Sequence, residues 1–456
     1  MAGTSKRDLT EGSAPGHLLR LAWPMSLGIA AFLSVNLVDT FFIAQLGEAQ
    51  LAAVAFCFPV VMSVSSLSIG LGAGAVSVVA RAAGAGDRAK VRALSTDAFL
   101  LTVVLVALIS AVGFLTIEPL FRFLRAGDTL MPYIRDYMQI WFAGTLFLMA
   151  PMVANNLLRA LGDSLAPSLI MIGGAAVNLI LDPVFIFGWG AFPRLEVQGA
   201  ALATLIANGV SLVFAGFLVF GRERLLSLEA RSWADRLASW RSVARVGLPA
   251  AGSNAANPIA MTAATAGVAY AGEQFGPGQG ALAVAGFGVA TRLEFFAAVP
   301  LLALSAAIGP LTGQNGGAGR TERVRQAFLS CFGFAAGWSV LVALAFWGFG
   351  EGLARQFSDA ERTLTVAGLY LALVPVTLAG YGVVITASAG FNALGRPWPG
   401  LAMTLSRSFV LYAPGVWIGG TIAGPVGAFA GVALANVLAG LGALAWTLRA
   451  DMTARR

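Results

Sequence analysis

Two aspartates stand in stretches otherwise fit for hydrocarbon. Asp39 lies in AFLSVNLVDTFFIAQLG and Asp182 in NLILDPVFIFGWG, and neither has a Lys or Arg within two helical turns. A charge at the centre of a bilayer costs roughly 2.5–3.5 kcal/mol on insertion scales, so such side chains face a bundle interior, a cavity or a partner and mark ion and substrate paths. Helical spacing supplies polar company, with Asn178 four residues before Asp182 and Asn36 three before Asp39. Either pair could hold a proton or a cation. Pro183 has no amide proton, so the carbonyl of Leu179 loses its helical partner and a bend is expected beside Asp182; Pro24 should do the same near the start of the first span. Freed carbonyls are tolerated at membrane depth only against protein or water, which predicts a wet cavity beside Asp182 in the N-terminal half. Arg292, Glu294 and Arg407 also fall in apolar runs. Local pairing or snorkelling explains those three as well as a functional role does.

The elements that must position these groups follow from composition. Of 456 residues 58% are hydrophobic and 11% charged, which marks a polytopic membrane protein. A helix needs about 20 apolar residues to cross ~30 Å of hydrocarbon, and twelve runs qualify: 20–45, 51–79, 97–117, 132–156, 165–189, 198–220, 243–271, 280–310, 328–349, 363–390, 397–421 and 425–448. They are continuous and lack the alternation of barrel strands. The expected fold is all α, with twelve transmembrane helices. The polar start leads into a run too long for a cleavable signal, so the first helix is expected to stay.

Basic residues set the orientation. With the N-terminus inside, inward segments hold 21 Lys and Arg and outward segments six, so both termini are expected in the cytoplasm of a bacterial-type inner membrane. The net charge of +7 reflects this bias and an attraction to lipid headgroups, not nucleic-acid binding. The expected organisation is a cytoplasmic segment 1–19, a six-helix bundle 20–220, a cytoplasmic linker 221–242, a second six-helix bundle 243–448 and a tail 449–456. Within the linker, Leu225, Leu228, Trp233, Leu237 and Trp240 among Arg and Glu suggest an amphipathic helix on the inner surface. The two halves repeat: GAGDRAKVR at 84–92 returns as GAGRTERVR at 317–325, RALGDSLAP at 159–167 as NALGRPWPG at 392–400, and GAALATLIAN at 199–208 as GAFAGVALAN at 427–436. Offsets of 233, 233 and 228 argue for duplication. Six spans between copies make it a parallel repeat.

The run GLGAGAVSVVARAAGAGD, the NNLLRALGDSLAPS turn, NLILDPVFIFGWG followed by GAALATLIAN, and the six-plus-six repeat together resemble the multidrug and toxic compound extrusion (MATE) family. The resemblance implies an antiporter that expels organic cations and other drugs in exchange for protons or sodium. Its DinF-like branch relies on an acid of the first helix with an Asp and Asn of the fifth, whereas the NorM-like branch adds carboxylates in the C-terminal half. The seventh and tenth runs here contain no acid, which suits the DinF-like branch. Carried over, the resemblance makes Asp39 and Asp182 the cation-coupling groups, with Asn178, Thr204 and Asn155 as polar neighbours and Tyr137 as a hydroxyl; the residues themselves add Asn36 by spacing and Pro24 and Pro183 as hinges. H⁺ is favoured over Na⁺, and Na⁺ at Asp39/Asp182 stays open. The expected cargo is hydrophobic cationic drugs and dyes, carried by a monomer in the bilayer.

Other classes fit less well. GLGAGA at 70–75 lacks the Lys-Ser/Thr of a phosphate loop and reads as close helix packing. One histidine, His17, and two separated cysteines, Cys57 and Cys331, make no metal or disulfide framework, so neither a resident metal nor a cofactor is expected, nor is an enzyme. The alternative is a flippase or exporter of lipid-linked oligosaccharide precursors.

Overall fold

The computed structural model describes residues 8–190, 192–227, 229, 231–274, 276 and 278–453, and these fold as helices without a strand. In chain order they are α1 (Ala14–Ala44), α2 (Glu48–Gly84), α3 (Arg88–Phe123), α4 (Met131–Ala143), α5 (Thr145–Ala160), α6 (Leu165–Phe187), α7 (Glu196–Gly216), α8 (Trp233–Glu273), α9 (Gln279–Ala297), α10 (Val299–Gly317), α11 (Thr321–Ala354), α12 (Glu361–Leu373), α13 (Leu378–Ala393), α14 (Pro397–Leu405) and α15 (Ala413–Arg449). Large apolar side chains cover the outside, with Leu115, Phe123 and Ile422 at 82%, 83% and 79% exposure, as a lipid-facing surface requires. Among the described residues nine helices are long and apolar enough to cross a membrane, ten when α4 and α5, bent by 46°, count together.

Twelve spans emerge once the breaks are given their causes. α4 and α5 part at Gly144, where the Leu205 side chain of α7 packs against the bare backbone, 2.2 Å from where a Cβ would lie. The 53-residue stretch Pro397–Arg449 is two crossings, because Ala423 and Gly424 leave helical geometry and Pro425 follows. α8 is the remaining span; Ser253, Asn254, Asn257 and Thr262 dilute its hydrophobicity.

The internal repeat has a backbone cause. Helix α2 ends on Gly86 (φ 76) and α10 on Gly319 (φ 73), and α5 ends on Gly162 (φ 84) and α13 on Gly395 (φ 74). Each pair stands 233 residues apart in the sequence. All four use the same closure, in which the next residue's N–H reaches back to the carbonyl five before it: Asp87 to Ala82 at 3.1 Å, Arg320 to Asn315 at 2.8 Å, Asp163 to Leu158 at 3.2 Å and Arg396 to Phe391 at 2.9 Å. Gly199 and Gly427, 228 apart, both sit where a Cβ would strike backbone, at 2.4 Å from the Phe185 carbonyl and 2.0 Å from that of Gly419. Duplicated glycines thus mark duplicated helix stops and hairpin contacts.

The chain packs as two compact units. The first runs from Pro24 to Ala251, and the second joins Leu9–Trp23 to the chain from Gly252 onward. The first is cored by Leu71, Val79, Leu94, Met149 and Leu157. The second is cored by Phe287, Tyr370 and Phe429, whose rings lie 5.1–6.0 Å apart. The linker is not helical throughout: helix starts at Trp233, Leu225 is buried in the first core, and Leu228 lies outside the described residues, as do Lys6, Arg7, Arg455 and Arg456. Trp233 and Leu237 are exposed, while Trp240 turns inward and donates from Nε1 to the Asp97 carbonyl at 2.8 Å. His17 lies within α1, one turn beyond its start. Cys57 and Cys331 are buried free thiols.

Candidate functional site

Helices α1 and α6 of the first unit bring the carboxyls of Asp39 and Asp182 side by side, within interaction range of each other. Asp182 and Asn178 are fully enclosed, at 0% and 2% exposure, and Asp39 is half-buried. One helical turn separates Asn178 from Asp182, so its Nδ2 donates to Asp182 Oδ1 at 3.4 Å and to Thr204 Oγ1 of α7 at 3.4 Å. Asn208, a turn further along α7, donates to the Thr204 carbonyl at 2.8 Å and fixes that partner. Asp39 Oδ1 and Asp182 Oδ2 have no hydrogen-bond partner among the described residues. Two carboxyls this close cannot both carry charge at low cost. They share a proton or need a cation between them.

The other residues expected at the site divide. Tyr137 of α4 lies within electrostatic range of both carboxyls. Asn155 of α5 is buried with Oδ1 unpartnered, and no hydrogen bond joins it to the pair among the described residues. Asn36 does not join Asp39: it is exposed, and its Nδ2 donates at 3.4 Å to the Phe32 carbonyl of its own helix, the ordinary bond of a polar side chain inside a helix. Pro24 and Pro183 sit inside α1 and α6, which continue as helix past them. α6 ends on Gly188, left-handed at φ 77, where a Cβ would lie 2.7 Å from the Arg194 nitrogen.

The second unit holds a polar cluster whose membership the sequence did not indicate. The Tyr370 hydroxyl of α12 donates to Glu294 Oε2 of α9. Arg407 lies in a π turn, Ser406–Tyr412, between α14 and α15. Its Nε and Nη2 donate to Asn436 Oδ1 at 3.1 and 3.0 Å, and its guanidinium lies 4.6 Å from the Tyr381 ring and 5.4 Å from that of Tyr412. Asn436 Nδ2 donates to Thr377 Oγ1 at 3.2 Å. Half of the chain's six tyrosines therefore surround one Arg and one Glu, a concentration within the C-terminal runs that was the available signal. Arg292, exposed, takes no part.

Comparison with known proteins agrees with this architecture. The sequence profile of the MatE family matches residues 24–184 and 274–418. An FAD transporter of Shewanella oneidensis is 38% identical over 93% of this chain and 92% of its own length. The "Probable multidrug resistance protein YpnP" of Bacillus subtilis is 26% identical over 90% and 91%. A crystal structure of the Vibrio cholerae MATE transporter VcmN, an aspartate-to-asparagine mutant, superposes with a TM-score of 0.88 over 96% of each chain at 30% identity. With a profile match over more than half its length and a full-length relative at 38%, the chain belongs to the MatE family of multidrug and toxic compound extrusion transporters.

Proposed function

We propose that the protein is a secondary antiporter of the cytoplasmic membrane, with both termini in the cytoplasm, that exports small organic compounds in exchange for protons taken up at Asp39 and Asp182. The observation that carries this reading is the close pair of carboxyls, Asp182 enclosed and held by Asn178, which also bonds Thr204, with an unpartnered oxygen on each acid among the described residues. A dyad of this kind alternates between one shared proton and a doubly acidic state that draws a cation. Protonation from outside relieves the repulsion between the carboxyls and weakens their hold on a cationic cargo; release of the proton inside restores it. Pro24, in the helix that carries Asp39, is the hinge we assign to the accompanying bend of α1. Sodium is the other ion that a carboxylate with amide and hydroxyl oxygens nearby can take.

The cargo supported first is hydrophobic organic cations, which an acidic, otherwise apolar half attracts. A second cargo, flavin adenine dinucleotide, is favoured by the 38% identity to a transporter of that compound. Flippase activity on lipid-linked pyrophosphates fits less well, since the deep charges of the first unit are acidic. Purified protein in liposomes, given a pH gradient or a sodium gradient in turn, tests the scheme with a fluorescent dye as cargo. The pH gradient is expected to drive dye uphill in the wild type and not in Asp39→Asn or Asp182→Asn. Uphill transport by both variants at the wild-type rate refutes the assignment, and a response to sodium alone replaces the proton with sodium.

A further inference from the structure

The second unit holds a cation that the coupling scheme does not use, and its geometry is that of a receptor. Arg407 and Tyr412 are five residues apart. In an α-helix of 3.6 residues per turn such residues point about 140° away from each other. The π turn over Ser406–Tyr412 closes i→i+5 instead and brings both to one face, which puts the Tyr412 ring within 5.4 Å of the guanidinium. Tyr381, from α13, supplies a second ring at 4.6 Å. The amide oxygen of Asn436 takes Nε and Nη2 and so fixes the plane of the fork, and Asn436 is anchored in turn on Thr377. Nη1 makes no hydrogen bond among the described residues. Glu294, within Coulombic reach, accepts from the Tyr370 hydroxyl and forms no ion pair with Arg407.

A purely structural role explains this poorly. A methionine would fill the same space without placing a charge at membrane depth, and a partly buried cation held for packing alone costs more than it returns. A guanidinium with its plane fixed, two phenol rings beside it and one corner free matches a different need. It can accept the acid of a flat aromatic molecule while the rings stack on the flat part.

We infer that Arg407, Tyr381 and Tyr412 form a recognition site for aromatic cargo that bears a phosphate or carboxylate, with Glu294 as the nearby carboxylate whose charge opposes that acid from a distance. The inference rests on the export reading and names the cargo class of its second form.

Riboflavin and riboflavin 5′-phosphate share a ring and differ by one phosphate, so their binding to the full-length protein in detergent, read by flavin fluorescence, isolates the acid. The wild type is expected to bind the phosphate at least about tenfold more tightly, the usual worth of a charge-assisted hydrogen bond. Arg407→Gln should lose that preference while keeping riboflavin affinity, and Arg407→Lys should keep part of it. Tyr381→Leu should weaken both flavins. Glu294→Gln should tighten the phosphate only, a gain that misfolding cannot imitate. Equal affinity of the wild type for the two flavins, failure to bind either, or a preference retained in Arg407→Gln overturns the site. Dye efflux under a pH gradient, measured on the same preparations, reports separately on export: coupled efflux without flavin preference removes only the recognition site, and preference without coupled efflux removes only the antiport scheme.

Discussion

Replacing Asp182 by Asn and by Ala separates what the side chain does for the fold from what it does for coupling. Asparagine keeps an oxygen for Asn178 Nδ2, now at 3.4 Å from Asp182 Oδ1, and offers an amide to Asp39, so Asp182→Asn is expected within about 1 kcal/mol of wild-type stability. Alanine leaves Asn178 only Thr204 and opens a void at a position with 0% exposure, which should cost about 2–4 kcal/mol. Transport should fail in both. One carboxyl contact holds one proton, so exchange of one proton for one monovalent cation moves no net charge. Its driving force is about 1.4 kcal/mol per pH unit, or roughly tenfold accumulation of dye, with nothing added by membrane potential. A singly anionic cargo would instead move two charges inward per cycle and gain ~4.6 kcal/mol per 100 mV. The assay is dye accumulation in liposomes at fixed pH difference, with potassium and valinomycin setting the potential, beside thermal unfolding of the same variants. Tenfold accumulation surviving in a folded Asp182→Asn variant refutes the dyad as the coupling site. Dye accumulation that rises with potential refutes the one-for-one stoichiometry.

Arg231→Ala should destabilise the first unit by about 3–5 kcal/mol in a thermal or denaturant melt, because Asp97, with a side chain 1% exposed, loses its cation; Asp97→Asn should cost less, since Arg231 at 29% can rehydrate, and the double variant should recover most of the loss. Gly199→Val and Gly427→Val should each reduce the yield of folded protein, as their side chains would enter backbone at 2.4 and 2.0 Å, while Gly288→Ala, with open space around it, should match the wild type. Single cysteines placed in 84–92, 222–245 and 317–325 should react with an impermeant maleimide only from the cytoplasmic side, against a silent background because Cys57 and Cys331 are buried; periplasmic labelling of 317–325 would break the parallel repeat.

The span pattern was legible because hydrocarbon imposes a length and a composition that few sequences meet by accident. Its boundaries were less so: α2 runs from Glu48 to Gly84, where apolarity marked only 51–79, because helices continue past the hydrocarbon until a left-handed glycine stops them. The link between Asn178 and Asp182 could be read from a four-residue spacing. The contact of Asp182 with Asp39 could not, since it joins helices 143 positions apart in the sequence and no local pattern encodes it. Asn36 shows the opposite failure. Spacing put it beside Asp39, yet an amide inside a helix has its own turn's carbonyl within reach and takes it. The tyrosine cluster was hidden for a third reason: α spacing sends Arg407 and Tyr412 to different faces, and only the π turn reverses that.

The duplication explains how two such different sites arise on one scaffold. The glycines that stop helices or admit a neighbouring backbone keep their places in both halves, because any side chain there would collide or force a left-handed residue. The residue after each stop is free to change, and it does so in sign. Asp87 and Asp163 cap the helices that follow them, accepting from the Lys90 and Ala166 amides at 2.9 and 3.1 Å. Arg320 and Arg396, at the matching places, reach out instead to the carbonyls of Thr10 and Asp451 and tie terminal segments to the second unit. The same divergence runs through the fifth span of each half. Carrying the offset of 233 forward, Asp182 meets Gly415 and Gly174 meets Arg407. The first half therefore keeps an acid where the second packs glycine against the Gly431 carbonyl, and the second carries a cation where the first packs glycine against Ser211. The proposed proton site and the proposed acid-recognition site could then be tuned separately, since each occupies a position that its counterpart uses only for packing.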